Sequence, residues 1–94
     1  MTYRHVVLFR IHDDVEEHDV TRAVDALRSL AELPCVEDWR IARSLDERKG
    51  RILIEEATFA DEAAFAAFRE DPRHRDVAAR MSEISDWWIG DYRA

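Results

Sequence analysis

The stretch FADEAAFAAFREDPRHRD, residues 59–76, decides how the rest of the chain is arranged. It starts at the end of an apolar strand pattern, continues as a short helix and is interrupted by Pro72. Proline disfavours helical geometry in the residue before it, yet it suits the first position of a new helix. Asp71 is therefore predicted to cap a second helix that begins at Pro72. This places His74 in the first turn of that helix.

His74 is the first candidate for a catalytic residue. The first turn of a helix is electropositive and disfavours the protonated imidazolium. A neutral imidazole at pH 7 can accept a proton, as a general base does. On the residues alone, a partly buried histidine that only bonds to a nearby backbone group is the more common explanation of such a position.

The length and charge of the chain restrict its architecture and partners. With 94 residues it is predicted to form one domain, residues 1–94, with one modest core. The net charge of −7 argues against nucleic acid and anionic membranes as partners. The apolar runs are too short to cross a bilayer, and the first residues lead directly into a strand pattern, so a cytoplasmic location is expected.

Two features of the composition restrict the chemistry. Cys35 is the single cysteine, which excludes an internal disulfide and a multi-cysteine metal site. The chain contains neither asparagine nor glutamine, so a mechanism that needs a side-chain amide has no residue to perform it.

Four segments have the apolar content of β-strands. They are Arg4–Ile11, Val36–Leu45, Arg51–Phe59 and Ser85–Arg93. The first has apolar side chains on both faces and is predicted to be a central strand, with His5 on the face that also carries Phe9. The second and third are close enough in sequence to form an antiparallel hairpin.

Three positions on these strands carry specific expectations. Glu55 and Glu56 fall on opposite faces of the third strand, so one of them is a candidate interior carboxylate. A solvated or salt-bridged glutamate is the more common outcome and is the one expected here. Gly90 in the last strand is expected to mark a bulge or a close approach of another backbone.

The first long connection is predicted to be a helix. Asp13 and Asp14 each precede a glutamate by three residues, an Asp-led variant of the capping box, and the helix is expected to run to about Glu32. Its buried stripe is expected to contain Val20, Val24, Leu27 and Ala31, flanked by Ala23 and Leu30.

The second long connection contains the two helices that meet at Pro72. Asp61 is predicted to cap the first of them, which carries Phe65 and Phe68. Both phenylalanines are expected to be buried against the sheet. The helix after Pro72 is expected to run to about Glu83.

The resulting order, β-α-β-β-α-β, predicts an α+β fold of the ferredoxin-like type. Two βαβ crossovers and a central hairpin give an antiparallel four-stranded sheet with helices on one face. The other face keeps Val6 and Leu8 exposed, and a chain this small rarely leaves a sheet face so apolar. A second copy of the chain is the simplest cover.

With this fold and these residues, the sequence resembles the stress-responsive dimeric α/β-barrel (Dabb) family over nearly its whole length. The resemblance is carried by the opening strand RHVVLFR, the helix AFAAF, the run Asp71-Pro72-Arg73-His74 and the closing Asp91-Tyr92. The chain departs from the family pattern at two positions. Phe68 stands where the family usually has tyrosine, and Asp71 stands where it usually has a first histidine.

The resemblance implies a homodimer in which two sheets face each other as a barrel, with a pocket between each sheet and its own helices. In a polyketide-cyclase branch of the family, the histidine that matches His74 is the general base, and His5 matches another pocket histidine. Phe9, Phe65 and Phe68 are expected to form the pocket wall, which suits a flat apolar ligand. The missing hydroxyl at Phe68 removes a donor for a developing enolate.

Three functions are consistent with these features. The first is an enzyme without metal or organic cofactor that transfers protons on an aromatic or polyketide-like compound, with His74 as base and His5 assisting. The second is a non-catalytic stress-responsive or ligand-binding dimer, in which His74 only braces the start of its helix.

The third function is a cofactor-free monooxygenase, suggested by Trp39, Trp87 and Trp88. The absence of asparagine weighs against it, and tryptophans are more often core or interface residues. A metal site is not predicted, because the spacing of His12, His18 and His74 matches no ligand motif.

Overall fold

The computed structural model describes all 94 residues, and its elements follow the predicted order. They are strand β1 (Tyr3–Ile11), helix α1 (Glu17–Ser29), a 3₁₀ turn (Leu30–Glu32), strands β2 (Asp38–Arg43) and β3 (Ile52–Phe59), helices α2 (Glu62–Glu70) and α3 (Pro72–Ile84), and strands β4 (Ser85–Ile89) and β5 (Tyr92–Arg93). No helix combines the length and apolar character needed to cross a membrane.

The strands form one antiparallel sheet in the order β2-β3-β1-β4, with β5 paired to the beginning of β1. β1 is therefore central and β2 lies at an edge. The predicted ferredoxin-like α+β fold is confirmed. Its core lies between one face of the sheet and the helices, where Ile11, Phe59 and Phe68 are fully enclosed. The opposite face leaves Leu8 and Trp88 exposed.

The last strand differs from its prediction. It was expected to run unbroken from Ser85 to Arg93, but the ladder is interrupted at Gly90 and Asp91. β4 and β5 nevertheless pair with β1 in one continuous register, so no residue is inserted and the predicted bulge at Gly90 is wrong. The space where a Cβ atom would stand at Gly90 is also open, so no backbone of the same chain approaches closely there.

The start and the buried face of α1 also differ from their predictions. Glu16 is the N-cap, without a side-chain cap bond, so the capping boxes predicted for Asp13 and Asp14 do not form. The chain tightens into a 3₁₀ turn at Leu30, which changes the direction of the residues that follow. Leu30, predicted to flank the stripe, is buried, whereas Ala31 is exposed, contrary to its predicted place in the stripe.

The junction between α2 and α3 has the predicted caps. The Asp61 carboxylate accepts a hydrogen bond from the Ala64 amide at 2.8 Å. The Asp71 carboxylate accepts one from the Arg73 amide, also at 2.8 Å, directly before the first residue of α3. These bonds fix the two helices at the point where the chain bends toward the sheet.

Candidate functional site

A cavity of about 340 Å³ lies between the sheet and the three helices. Most of its wall is apolar and includes Phe9, Leu27, Leu30 and Met81. Its polar side chains are Tyr3, His5, Glu55, Arg69, His74 and Asp91. An apolar chamber with a few converging polar groups is the usual form of a small-molecule site.

His5 lies between two carboxylates supplied by the strands on either side of β1. Its Nδ1 atom is 2.8 Å from Asp91 Oδ1, and its Nε2 atom is 3.2 Å from Glu55 Oε2. Strand alternation produces this arrangement: His5 is opposite Ala57 of β3, and Glu55 lies two residues away on the same face. Glu55 is the interior carboxylate of the pair predicted on β3, only 4% exposed and salt-bridged to His5, whereas Glu56 is exposed.

The two carboxylates determine the charge of His5. Burial is the largest single influence and lowers the pKa of the imidazole. The hydrogen bonds and negative charges of Glu55 and Asp91 together outweigh it, so the pKa is raised above 6.5. His5 is therefore stabilised as an imidazolium that donates one N–H to each carboxylate.

Asp91 connects His5 to the end of the sheet. Its Oδ2 atom accepts a hydrogen bond from the Tyr3 hydroxyl at 2.7 Å, which raises the pKa of that hydroxyl. Its Oδ1 atom also lies 3.3 Å from the Val6 amide. The Asp91 side chain thus accepts from the Val6 amide in place of a backbone carbonyl of the last strand. This explains why the ladder breaks between β4 and β5.

His74 lies on the helix side of the same cavity, in the first turn of α3 and next to the end of α2. Its Nδ1 atom is 3.2 Å from the Arg69 carbonyl oxygen. That carbonyl is free because its helical donor, the Arg73 amide, is bonded to Asp71. A carbonyl can only accept, so Nδ1 carries the proton and Nε2 keeps a lone pair that no group of the chain engages.

The electrostatics of His74 are opposite to those of His5. Burial is the main influence and lowers its pKa below 6.5, against the opposing effects of the Arg69 carbonyl and the Glu55 charge. The positive charges of His5 and Arg69 add to the lowering. The cavity therefore combines a neutral histidine with a protonated one.

The three phenylalanines predicted for the pocket have different positions. Phe9 and Phe65 line the cavity, and Phe65 is only half-buried rather than buried. Its ring stacks on Tyr3 at a centroid distance of 4.4 Å. Phe68 is fully buried and does not line the cavity. The centroid of its ring lies 4.4 Å from that of the His74 ring, so Phe68 packs against the histidine.

Four polar residues of the site were not among the predicted site residues: Tyr3, Glu55, Arg69 and Asp91. Glu55 could have been found, since β-alternation places it on the inward face with Leu53 and Ala57. Asp91 has the same signal, because it alternates with Trp87 and Ile89. Tyr3 has it too, because it alternates with His5 and Phe9 along β1. The sequence held no comparable signal for Arg69.

The remaining tryptophans and histidines do not gather around this cavity. Only Trp87 lines it, whereas Trp39 packs on Phe68 and Trp88 lies on the opposite face of the sheet. His12 and His18 pair with surface carboxylates. No group of three or more His, Cys, Asp and Glu side chains is arranged so that it could hold a metal ion.

The sequence profile of the stress responsive A/B barrel domain (Dabb) matches residues 3–94. The chain belongs to this family. Comparison with curated proteins finds no match. The two sheet carboxylates and the two histidines described above therefore lie in a Dabb domain that covers almost the whole chain.

Solved structures with the same fold include proteins of several kinds. A dimeric ferredoxin-like protein of unknown function from Thermobifida fusca is 25% identical, with a TM-score of 0.89 over 100% of this chain and 92% of that one. A Dabb family protein from Mesorhizobium loti is 23% identical, with a TM-score of 0.83 over 99% and 96%. The hydroxynitrile lyase of Passiflora edulis is 19% identical, with a TM-score of 0.86 over 97% and 91%.

Proposed function

We propose that this Dabb protein is a cofactor-free enzyme that transfers a proton at a carbon next to a carbonyl group in an aromatic or polyketide-like compound. The observation that carries the proposal is the free Nε2 lone pair of neutral His74, which lies in the same cavity as protonated His5. Two titratable groups whose pKa values move apart are the usual signature of acid–base chemistry.

In the proposed reaction His74 is the general base. Its Nε2 atom removes the proton from the substrate carbon, and the electron pair of the broken C–H bond moves toward the carbonyl oxygen. The positive charges of His5 and Arg69 stabilise the enolate that forms. His5 assists through its charge, because both of its N–H groups already bond to Glu55 and Asp91.

The missing tyrosine hydroxyl at Phe68 limits the type of reaction. Phe68 is fully buried behind His74, and the Tyr3 hydroxyl is committed to Asp91. No hydroxyl is therefore free to donate to the enolate beside His74. We infer that the chain catalyses proton transfer or bond cleavage next to a carbonyl rather than the full aldol cyclisation.

We further propose that the protein is a homodimer. The neighbour from Thermobifida fusca and one from Bacteroides fragilis are described as dimeric. Here the helix-free face of the sheet carries exposed Leu8 and Trp88, which are paired in register, next to half-buried Val6 and Ile54. An isologous contact between two such faces would bury about 1,600 Å² if it has standard size.

A non-catalytic role has one specific observation in its favour. The bond from His74 Nδ1 to the Arg69 carbonyl caps the end of α2, so this histidine also braces the helix junction. In that case the cavity would bind a ligand without converting it. Substitution of His74 distinguishes the catalytic role from the non-catalytic one.

The experiment measures keto–enol tautomerisation of phenylpyruvate, an aromatic probe with an acidic carbon next to a carbonyl. We expect His74→Ala to lower the rate at least about 100-fold, as loss of a general base does. His18→Ala removes an exposed histidine of α1 and should leave the rate unchanged. Light scattering and circular dichroism should show that both variants keep the wild-type mass and fold.

An unchanged rate in folded His74→Ala would remove the enzymatic proposal and leave the bracing role. Failure of the wild-type protein to accelerate the tautomerisation of phenylpyruvate would count against it in the same way.

A further inference from the structure

Glu55 has one carboxylate oxygen that no group of the protein engages. The side chain is 4% exposed, and its Oε2 atom bonds to His5. The Oε1 atom makes no hydrogen bond within the chain. It is not sealed in the core either, because Trp39 Nε1 is the only fully enclosed side-chain polar atom without a partner. Since Glu55 lines the cavity, Oε1 is reached from there.

The histidine and tyrosine donors around the cavity are already engaged, and no hydrogen bond joins Arg69 to Glu55. Both N–H groups of His5 are used, the Tyr3 hydroxyl bonds to Asp91, and the N–H of His74 bonds to the Arg69 carbonyl. A carboxylate oxygen in an apolar chamber without a partner is costly. Water can reach this oxygen in the free protein, so a molecule that displaces the water must supply a hydrogen-bond donor in its place.

Arg69 has the opposite character at the same cavity. Its guanidinium lies 5.9 Å from the centroid of the Phe65 ring and forms no ion pair with a carboxylate of the chain. It is exposed, whereas Glu55 is enclosed. The cavity thus has an acceptor in its enclosed part, an apolar body and a cation at an exposed part of its wall.

We propose that the cavity binds an aromatic compound with a hydroxyl group that donates a hydrogen bond to Glu55 Oε1. This inference rests on the proposed function, since it names the substrate class of the same cavity. The volume of about 340 Å³ is at the lower end of the range for ligand pockets and suits a single-ring compound. Arg69 suits an anionic group on the part of the ligand away from the hydroxyl.

The test compares two unreactive probes that differ only in the hydroxyl, 3-(4-hydroxyphenyl)propanoate and 3-phenylpropanoate. NMR titration measures the dissociation constant of each. The wild-type protein should bind the hydroxylated probe about tenfold more tightly or better, because the hydrogen bond is charge-assisted. In Glu55→Gln the amide oxygen can keep the bond to His5, which turns an NH₂ donor toward the cavity. The charge-assisted bond is then lost, and the preference for the hydroxyl should fall well below its wild-type value.

The control variant Glu32→Gln changes the same atoms at an exposed position outside the cavity and should keep the preference. If Glu55→Gln does not fold, the methyl ether 3-(4-methoxyphenyl)propanoate provides the comparison on the wild-type protein, since it can accept but not donate. It should then bind more weakly than the hydroxylated probe.

Equal binding of the hydroxylated probe and either matched analogue to the wild-type protein, or no binding of any probe at millimolar concentration, overturns the inference. A hydroxyl preference of wild-type size in folded Glu55→Gln does so too. The proposed function is judged separately, because His74→Ala should lose phenylpyruvate tautomerisation while it keeps the preference for the hydroxyl.

Discussion

His5 and His74 line one cavity with their pKa values displaced in opposite directions from 6.5. The displacement has a local cause at each residue. Two strand carboxylates outweigh the burial of His5, whereas His74 faces only the Arg69 carbonyl and the more distant Glu55 charge, which do not offset its burial. Because the two side chains project from β1 and α3, the sheet supplies the charged histidine and the helix supplies the neutral one.

This relationship predicts the pH dependence of both groups. His74 should titrate below 6.5 and His5 above it in NMR spectra of the imidazole nitrogens. The tautomerisation rate should rise as His74 loses its proton and fall as His5 loses its proton at higher pH, which gives a bell-shaped profile that spans 6.5. His74 titrating above His5 would contradict the assignment of base and cation.

Asp91→Asn tests the support of His5. The amide can still accept through one oxygen, but it loses the charge next to His5 and the acceptor for the Tyr3 hydroxyl. We expect the pKa of His5 to fall and the free energy of unfolding to drop by about 1–3 kcal/mol. Asp86→Asn is the matched control, since Asp86 lies on the adjacent strand and its side chain is 66% exposed.

The loss of stability in Asp91→Asn should depend on pH. A histidine whose pKa is raised by folding stabilises the protein fully below its unfolded value of about 6.5, and this contribution is lost as the pH rises through the folded value. The variant should therefore lose more stability relative to wild type below 6.5 than above its folded pKa. Urea unfolding across this range measures the difference, and a constant difference would show that Asp91 acts only through neutral hydrogen bonds.

The sequence predicted the fold better than the site, and particular residues show why. The helix break at Pro72 and the cap at Asp71 depend on local backbone rules, so both were predicted from neighbouring residues. The shortened ladder at Asp91 depends on Tyr3, His5 and Val6, which lie more than 80 positions away in sequence. Pairing across that separation has no local signal, and the partners of His5 were missed for the same reason.

Glu55 illustrates a different limit. Its inward position follows from the alternation of β3, but buried glutamates are rare, so the sequence alone favours a solvated or salt-bridged side chain without indicating its partner. The compensating cation, His5, lies on another strand. Only the register between β1 and β3 shows that the two side chains meet.

Phe68 should be more important for stability than Phe65. Phe68 is fully enclosed, whereas Phe65 is half-buried at the cavity wall. Phe68→Ala should lower the free energy of unfolding by about 3–5 kcal/mol, and Phe65→Ala by less, as measured by urea denaturation. Equal losses would mean that Phe65 is enclosed in solution.

Phe68→Tyr restores the hydroxyl that the family usually has at this position. Phe68 is sealed in the core, so the added oxygen needs both space and a partner there. We expect a loss of about 1–3 kcal/mol in the free energy of unfolding, without a gain in phenylpyruvate tautomerisation. If Phe68→Tyr keeps the wild-type free energy of unfolding and catalyses the tautomerisation faster, the added hydroxyl reaches the cavity beside His74.

The homodimer can be tested on the exposed strand pair Leu8 and Trp88. Light scattering at micromolar concentration should give about twice the chain mass of 11.1 kDa for the wild-type protein. Leu8→Glu should shift the mass toward the monomer, because two isologous faces would bring like charges together in an apolar contact. Ala66→Glu introduces the same charge on the exposed surface of α2 and should leave the dimer intact. If the wild-type protein has the mass of one chain at every accessible concentration, the proposed dimeric barrel is refuted. If Leu8→Glu remains a dimer, the interface lies away from Leu8.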